Sequence, residues 1–192
     1  DFDKSIELDN KGPIAFNDRG LSKYYLDREE EAIKDYDVAI ELDPKYSIAF
    51  FNRGLSKYSL NKYEEAIKDF NEAIKLDPKF PKAFNNRGLS KDSLERYEEA
   101  IKDYDVAIEL DPKYAKAFNN RGLSKYSLNK YEEAIKDFDK SIELDNKEPS
   151  AFNNRGIANH ALGKYQESIK DYDVAIELDP KFPKYFYNRG LS

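Results

Sequence analysis

PKAFNNRGLSKDSLERYEEAIKDYDVAIELDPKY, residues 81–114, decides the fold, because its pattern returns every 34 residues along the chain. Gly20, Gly54, Gly88, Gly122, Gly156 and Gly190 mark the period. Full copies run 13–46, 47–80, 81–114, 115–148 and 149–182 without insertion, while 1–12 match the end of a copy and 183–192 the start of one. A period of this length is one supersecondary unit stacked along an axis, each copy burying its apolar face only against its neighbours. A single array over 1–192 is therefore expected, with function on a continuous surface. The incomplete flanks predict a piece of a longer array. A second rhythm, DYDVAIELDP at 35, 103 and 171 with DFNEAIKLDP at 69 and DFDKSIELDN at 1 and 137, points to duplication of two copies at once.

Within a copy the apolar residues keep helical spacing. Pro81 opens a first helix, where its missing N–H costs nothing, and Phe84, Gly88 and Lys91 share a face with Leu94 close by. The turn falls near Glu95, at the position of Asp27, Asn61, Asn129 and Gly163; Glu30, Glu64 and Glu132 stand three residues later, as in a capping box. The second helix carries Tyr97, Ala100, Ile101, Tyr104, Ala107 and Ile108 and stops before Asp111-Pro112. Each copy reads as an antiparallel helical hairpin, so the chain is all-α.

An aromatic at Phe84, then Gly88, Tyr97, Ala100, Tyr104, Ala107 and Pro112, resembles the tetratricopeptide repeat pattern, and the resemblance covers all 192 residues. It implies a right-handed α-solenoid, a superhelix with first helices inside the curve and second helices outside. The chain departs from the pattern at Arg87 and Lys91, where the family carries a leucine and a large aromatic, at Glu29, which replaces the second-helix tyrosine, and at Asn10 and Asn146, which replace the loop proline.

Arg19, Arg53, Arg87, Arg121, Arg155 and Arg189 precede the repeat glycines on the flank facing the packing partners. Charges there need partners, and Asp1, Asp35, Asp69, Asp103, Asp137 and Asp171 recur at the same period. These series are expected to pair as framework and not to form a ligand site. Lys23, Lys57, Lys91 and Lys125 are expected to lay their stems between helices with their heads in water.

One residue before each arginine stand Asn52, Asn86, Asn120, Asn154 and Asn188, with Asp18 in the first copy. At about 100° per residue they share a stripe with Ile14, Ile48, Lys82, Lys116 and Lys184 one turn earlier, and with Leu21, Leu55, Leu89, Leu123 and Ile157 one turn later. In tetratricopeptide arrays this stripe lines the concave groove. A carboxamide offers donors and an acceptor, so a row of them suits the backbone of an extended peptide whatever its side chains. The row resembles the asparagine ladders in the repeat domains of O-GlcNAc transferase and kinesin light chain. Asn17, Asn85, Asn119 and Asn153 broaden the polar strip, and Phe51 and Tyr187 interrupt it. Ile14, Ile48, Phe51, Tyr24, Tyr25 and Tyr58 make the N-terminal part apolar, whereas Lys82, Lys116 and Lys184 add positive charge farther along. A peptide with apolar and acidic stretches fits both. The carboxylate clamp by which related co-chaperones hold chaperone tails needs a lysine where this chain has Asn or Phe, and an asparagine where it has Leu or Ile, so that mode is not expected.

The function expected is thus a non-enzymatic module binding a protein or peptide ligand. The alternative is a structural assembly module stacking head to tail through Phe2, Ile6, Phe186, Tyr187 and Leu191. Catalysis finds little support: His160 is the only histidine, with no cysteine and no Gly-rich phosphate loop, so no cofactor or metal site is expected. A net charge of −6 argues against a nucleic-acid partner. No apolar run reaches the roughly 18 residues of a membrane helix, so no membrane partner is expected. No secretory leader is visible, which favours a cytoplasmic location.

Overall fold

The computed structural model describes residues 12–192. The copy fragment placed at 1–12 lies, apart from Gly12, outside the described residues, and with it the expectations for Asp1, Phe2, Ile6 and Asn10. Among the described residues there are eleven helices and no strand: α1 (Pro13–Tyr24), α2 (Glu29–Leu42), α3 (Ser47–Ser59), α4 (Tyr63–Leu76), α5 (Pro81–Asp92), α6 (Tyr97–Leu110), α7 (Ala115–Ser127), α8 (Tyr131–Leu144), α9 (Pro149–Ala161), α10 (Tyr165–Leu178) and α11 (Pro183–Gly190). Odd-numbered helices are the first helices of the copies and even-numbered ones the second.

The chain divides into two compact units, Asp1–Arg96 and Tyr97–Ser192. In the first, α3 packs between α2 and α4, and α5 closes against α4. In the second, α7 packs between α6 and α8, α9 between α8 and α10, and α11 against α10. First helices also touch one another, α1 with α3 and α3 with α5 in one unit, α7 with α9 in the other.

The hairpin turn differs from the expected capping box. Asp27, Asn61, Glu95 and Asn129 adopt φ of +54° to +60°, and Gly163 +73°. They end the first helix in the left-handed region instead of capping the second. The amide of the next residue reaches back five positions, as in Lys62 N–H to Lys57 O at 2.9 Å and Lys164 N–H to Asn159 O at 2.9 Å. No side chain caps α2, α4, α8 or α10. Asn61 and Asn129 instead accept from the Tyr63 and Tyr131 hydroxyls at 2.6 and 2.7 Å. The Asp-Pro loops close by an Asx turn, Lys113 N–H donating to Asp111 Oδ1 at 3.0 Å. Asn146 in place of proline leaves that turn intact, with Lys147 N–H to Asp145 Oδ1 at 3.1 Å.

The repeat glycine seats an aromatic ring. A Cβ on Gly54 would lie 2.7 Å from Phe70, on Gly122 2.6 Å from Phe138, and on Gly20 and Gly156 2.7 Å from Tyr36 and Tyr172. These rings are buried with Ala32, Ala66, Ala134 and their equivalents, so the core is a row of rings seated on helix backbone.

The arginines are framework, and they reach farther than the single pairing expected. Arg53 donates from Nε and Nη2 to Asp69 at 3.0 and 2.6 Å, and from Nη1 to Asp37 on the preceding second helix at 2.6 Å. Arg121 joins Asp137 and Asp105, and Arg155 joins Asp171 and Asp139, in the same way. Arg19 holds Asp35, and Arg87 Nη1 donates to Asn71, the equivalent of Asp37, at 2.7 Å. Each guanidinium also lies over the phenylalanine three residues earlier, 5.3 to 5.7 Å from its centroid. Burial opposes the charge of Arg53, Arg121 and Arg155, yet the hydrogen bonds and charge of their aspartates raise their basicity above the ordinary value. The lysine expectation is corrected. Lys23, Lys57 and Lys125 turn their ammonium groups onto Asp35, Asp69 and Asp137 at 2.7, 2.8 and 2.8 Å, because that carboxylate has lone pairs left after the arginine.

Candidate functional site

The first-helix stripe carries the asparagines. In the second unit they form a hydrogen-bonded chain: Asn188 Nδ2 donates to Asn153 Oδ1 at 2.8 Å, Asn153 Nδ2 to Asn154 Oδ1 at 3.3 Å, and Asn154 Nδ2 to Asn119 Oδ1 at 3.0 Å. In the first unit Asn52 Nδ2 donates to Asn17 Oδ1 at 2.8 Å, and Asn17 Nδ2 to Asp18 at 3.1 Å. Asn86 Nδ2 turns to the carbonyl of Lys82 at 2.7 Å. The two asparagine series are therefore partners at Asn52, Asn154 and Asn188, where the ladder amide rests on the second asparagine of the copy before it; Asn86 has no such partner, because Phe51 stands at that place in the preceding copy. The recurrent spacing of 35 in Asn17–Asn52, Asn119–Asn154 and Asn153–Asn188 is the sequence signal for this link.

A carboxamide has two N–H groups and two acceptor directions. The chain uses one of each on Asn154, which leaves one donor and one acceptor at a half-buried position. Asn52, Asn85 and Asn153 are buried; Asn86, Asn119, Asn120 and Asn188 are half-buried. Lys82, Lys116 and Lys184 are exposed, as are Ile14 (61%), Ile48 (45%), Leu123 (38%) and Leu191 (59%) on the same stripe.

The aromatics divide. Phe51 is buried, its ring 5.8 Å from Phe70 and 4.7 Å from Phe80, so it packs the core of the first unit and offers no open face. Tyr58 is half-buried against Tyr63 at 5.3 Å, with its hydroxyl 3.4 Å from Ser93 Oγ. Tyr25 and Tyr187 are exposed, at 75% and 68%. His160 packs edge-on to Tyr165 at 5.2 Å with Nε2 3.3 Å from the Leu191 carbonyl oxygen. No helix among the described residues is long and apolar enough to cross a membrane.

A second aspartate series, Asp37, Asp105, Asp139 and Asp173, on which Arg53, Arg121, Arg155 and Arg189 close, adds to the single pairing expected from the sequence. It recurs two residues after the first series, so the period alone could have revealed it.

A tetratricopeptide-repeat family model matches residues 15–46, and a second TPR-repeat model matches 54–91, 93–128, 122–163 and 160–192. No curated protein matches the chain. Among solved structures, YrrB, described as a TPR protein with an unusual peptide-binding site, is 23% identical over 98% of this chain and 97% of its own, with a TM-score of 0.74. The pilF protein of Pseudomonas aeruginosa is 22% identical over 92% of this chain and 80% of its own, at 0.83. Yeast Tom70 is 22% identical over 99% of this chain and 41% of its own, at 0.78. These likenesses agree on the fold, an all-α helical repeat solenoid, and with family models covering most of the sequence the chain belongs to the tetratricopeptide repeat family.

Proposed function

We propose that the chain is a non-enzymatic protein-interaction module that holds an extended peptide along its first helices. The observation that carries this reading is the asparagine chain of the second unit, Asn119, Asn154, Asn153 and Asn188, whose amides are fixed by one another and keep hydrogen-bonding capacity. A row held in place loses little freedom when it binds. Exposed Lys116 and Lys184 stand one turn before it, Leu123 and Leu191 one turn after it. This favours a peptide with acidic residues beside apolar ones. The peptide-binding site that YrrB's description names supports the same reading by analogy.

In the first unit, Lys82 and the exposed Ile14 and Ile48 flank Asn52 and Asn86, with Asn85 beneath. Tyr58 borders this part, and Phe51 contributes by holding α3 in place.

The test is a peptide-array screen followed by calorimetric titration of the best acidic-apolar binder. Lys116→Ala with Lys184→Ala should leave the melting curve unchanged, since both side chains are exposed. Affinity should fall by about three- to ten-fold and lose most of its salt dependence. Unchanged affinity and salt dependence would remove this face from the reading. A second reading, head-to-tail self-association, draws on exposed Phe186, Tyr187 and Leu191. Light scattering that rises with concentration, in a chain giving no selective array hits, would put it ahead.

A further inference from the structure

The fifth copy breaks the charge pattern at one place. In three other copies a lysine one turn after the bridging arginine sets its Nζ 2.7 to 2.8 Å from the repeat aspartate. A glutamate one turn earlier on the second helix stands behind that ammonium, Glu65 at 3.9 Å from Lys57 and Glu133 at 3.8 Å from Lys125. The fifth copy keeps the arginine, the aspartate and the glutamate as Arg155, Asp171 and Glu167, but has Asn159 where the lysine stands.

The shorter side chain does half of the lysine's work. Asn159 Nδ2 donates to Asp171 Oδ2 at 3.1 Å, so the buried carboxylate keeps a donor there, but no ammonium charge accompanies it. Beyond Asn159 a hollow of about 270 Å³ opens between α8, α9 and α10, walled by Ile135, Asp139, Glu167 and Lys170. Arg155 is already held between Asp139 and Asp171 at 2.7 and 2.5 Å. Glu167 makes no ion pair with a described residue. The walls and floor thus carry Asp139, Glu167 and Asp171 against Arg155 and Lys170, one negative charge in excess.

We propose that this hollow binds a primary alkylammonium group, the ε-ammonium of a partner's lysine or a small free amine. The chain itself supplies the template, since the same aspartate and glutamate positions hold a lysine ammonium in the second and fourth copies. The incoming head group pairs with Glu167 beside the place of the absent Nζ and reaches Asp171 Oδ2 by displacing the Asn159 amide, and Ile135 flanks its carbon chain. A metal ion is a poorer fit, because among the described residues no three acidic side chains converge closely enough to hold one. None of the residues lining the hollow belongs to the asparagine row, although Arg155 and Asn159 share α9 with Asn153 and Asn154, so the proposal stands or falls without that row.

The test is titration of the isotope-labelled chain with n-butylammonium chloride against sodium chloride at equal ionic strength, followed by amide NMR. Saturable shifts are expected at the Asn159 side-chain amide and along residues 167–171 in the millimolar range, with none from n-butanol. Asn159→Lys restores the arrangement of the sister copies; it should fold, melt higher than the parent and lose the shifts. Glu167→Gln should weaken binding several-fold while leaving the melting temperature near that of the parent. Comparing n-butylammonium with a blocked lysine amide separates the sources: equal binding assigns the site to a partner's lysine, and binding of the free amine alone assigns it to a small amine. Absence of saturable shifts, or shifts that persist in Asn159→Lys, would overturn the proposal.

Discussion

Arg121 touches three helices. Its Nη1 reaches Asp105 on α6 at 2.7 Å, its Nε and Nη2 hold Asp137 on α8 at 2.9 and 2.5 Å, and its Cζ lies 5.5 Å from the Phe118 ring on its own helix. Removing one member of a buried pair strands the other charge, which costs roughly 3 to 5 kcal/mol. Lys125 remains on Asp137 here, so Arg121→Ala should cost about 3 kcal/mol, at the lower end. Arg121→Lys should recover little of it, because a single ammonium cannot bridge two carboxylates with the same geometry. Urea denaturation measures both, and a loss within about 0.5 kcal/mol for Arg121→Ala would remove the framework role. The same network gives a pH signature at Asp35. Burial pushes this carboxyl up, but hydrogen bonds and charge from Arg19 and Lys23 outweigh it and hold it below its ordinary value. A depressed carboxyl stabilises the fold above its unfolded value and loses that contribution as pH falls through the folded one. The melting temperature of Asp35→Asn should therefore lie below that of the parent at neutral pH, and the gap should narrow below about pH 4. A gap that stays constant through acid would contradict the pairing.

In α1, α3, α7 and α9 the first helix gives up a side chain so that a ring can sit on its backbone. Gly54→Ala would bring a methyl to 2.7 Å from Phe70, whose ring is fully buried and has no room to retreat. Helix propensity favours alanine over glycine by about 1 kcal/mol, but overpacking in a closed core costs about 1 to 3 kcal/mol. The variant should be destabilised on balance, and Gly54→Ala with Phe70→Leu should recover part of the loss; a more stable Gly54→Ala by thermal melting would contradict the contact. This element was legible in sequence from Gly88 with Tyr104 and their equivalents, because both recur at fixed offsets and the family pattern contains them. The turns were not. Asn61 and Asn129 suit a helix start and a left-handed helix end equally well in composition, and only backbone geometry shows the second. The lysine heads were misread for a related reason. A long amphipathic stem reaches water or a nearby carboxylate with equal ease, and the remaining lone pairs of Asp35, Asp69 and Asp137 decide between them.

Across the whole molecule, the repeat makes local interactions recur, so that the same first-helix face is written many times over. The position of the asparagine row was legible in sequence as a stripe. Its linkage was not, because the partners of the Asn52, Asn154 and Asn188 amides sit 35 residues away in the neighbouring copy and the period of 34 hides the one-residue offset. The linkage changes the expected behaviour of the row: Asn154→Ala breaks two amide hydrogen bonds and should cost stability of about 1 kcal/mol before any ligand is added. The direct measurement of the peptide-binding account is therefore a footprint on the unaltered chain, following the side-chain amide signals of Asn119, Asn153, Asn154 and Asn188 by NMR while the screened peptide is added. The account predicts saturable shifts of these amides, with slowed hydrogen exchange, while the outward residues of α8 and α10 stay unmoved. Shifts confined to α8 and α10, with the four asparagine amides unchanged, would contradict it.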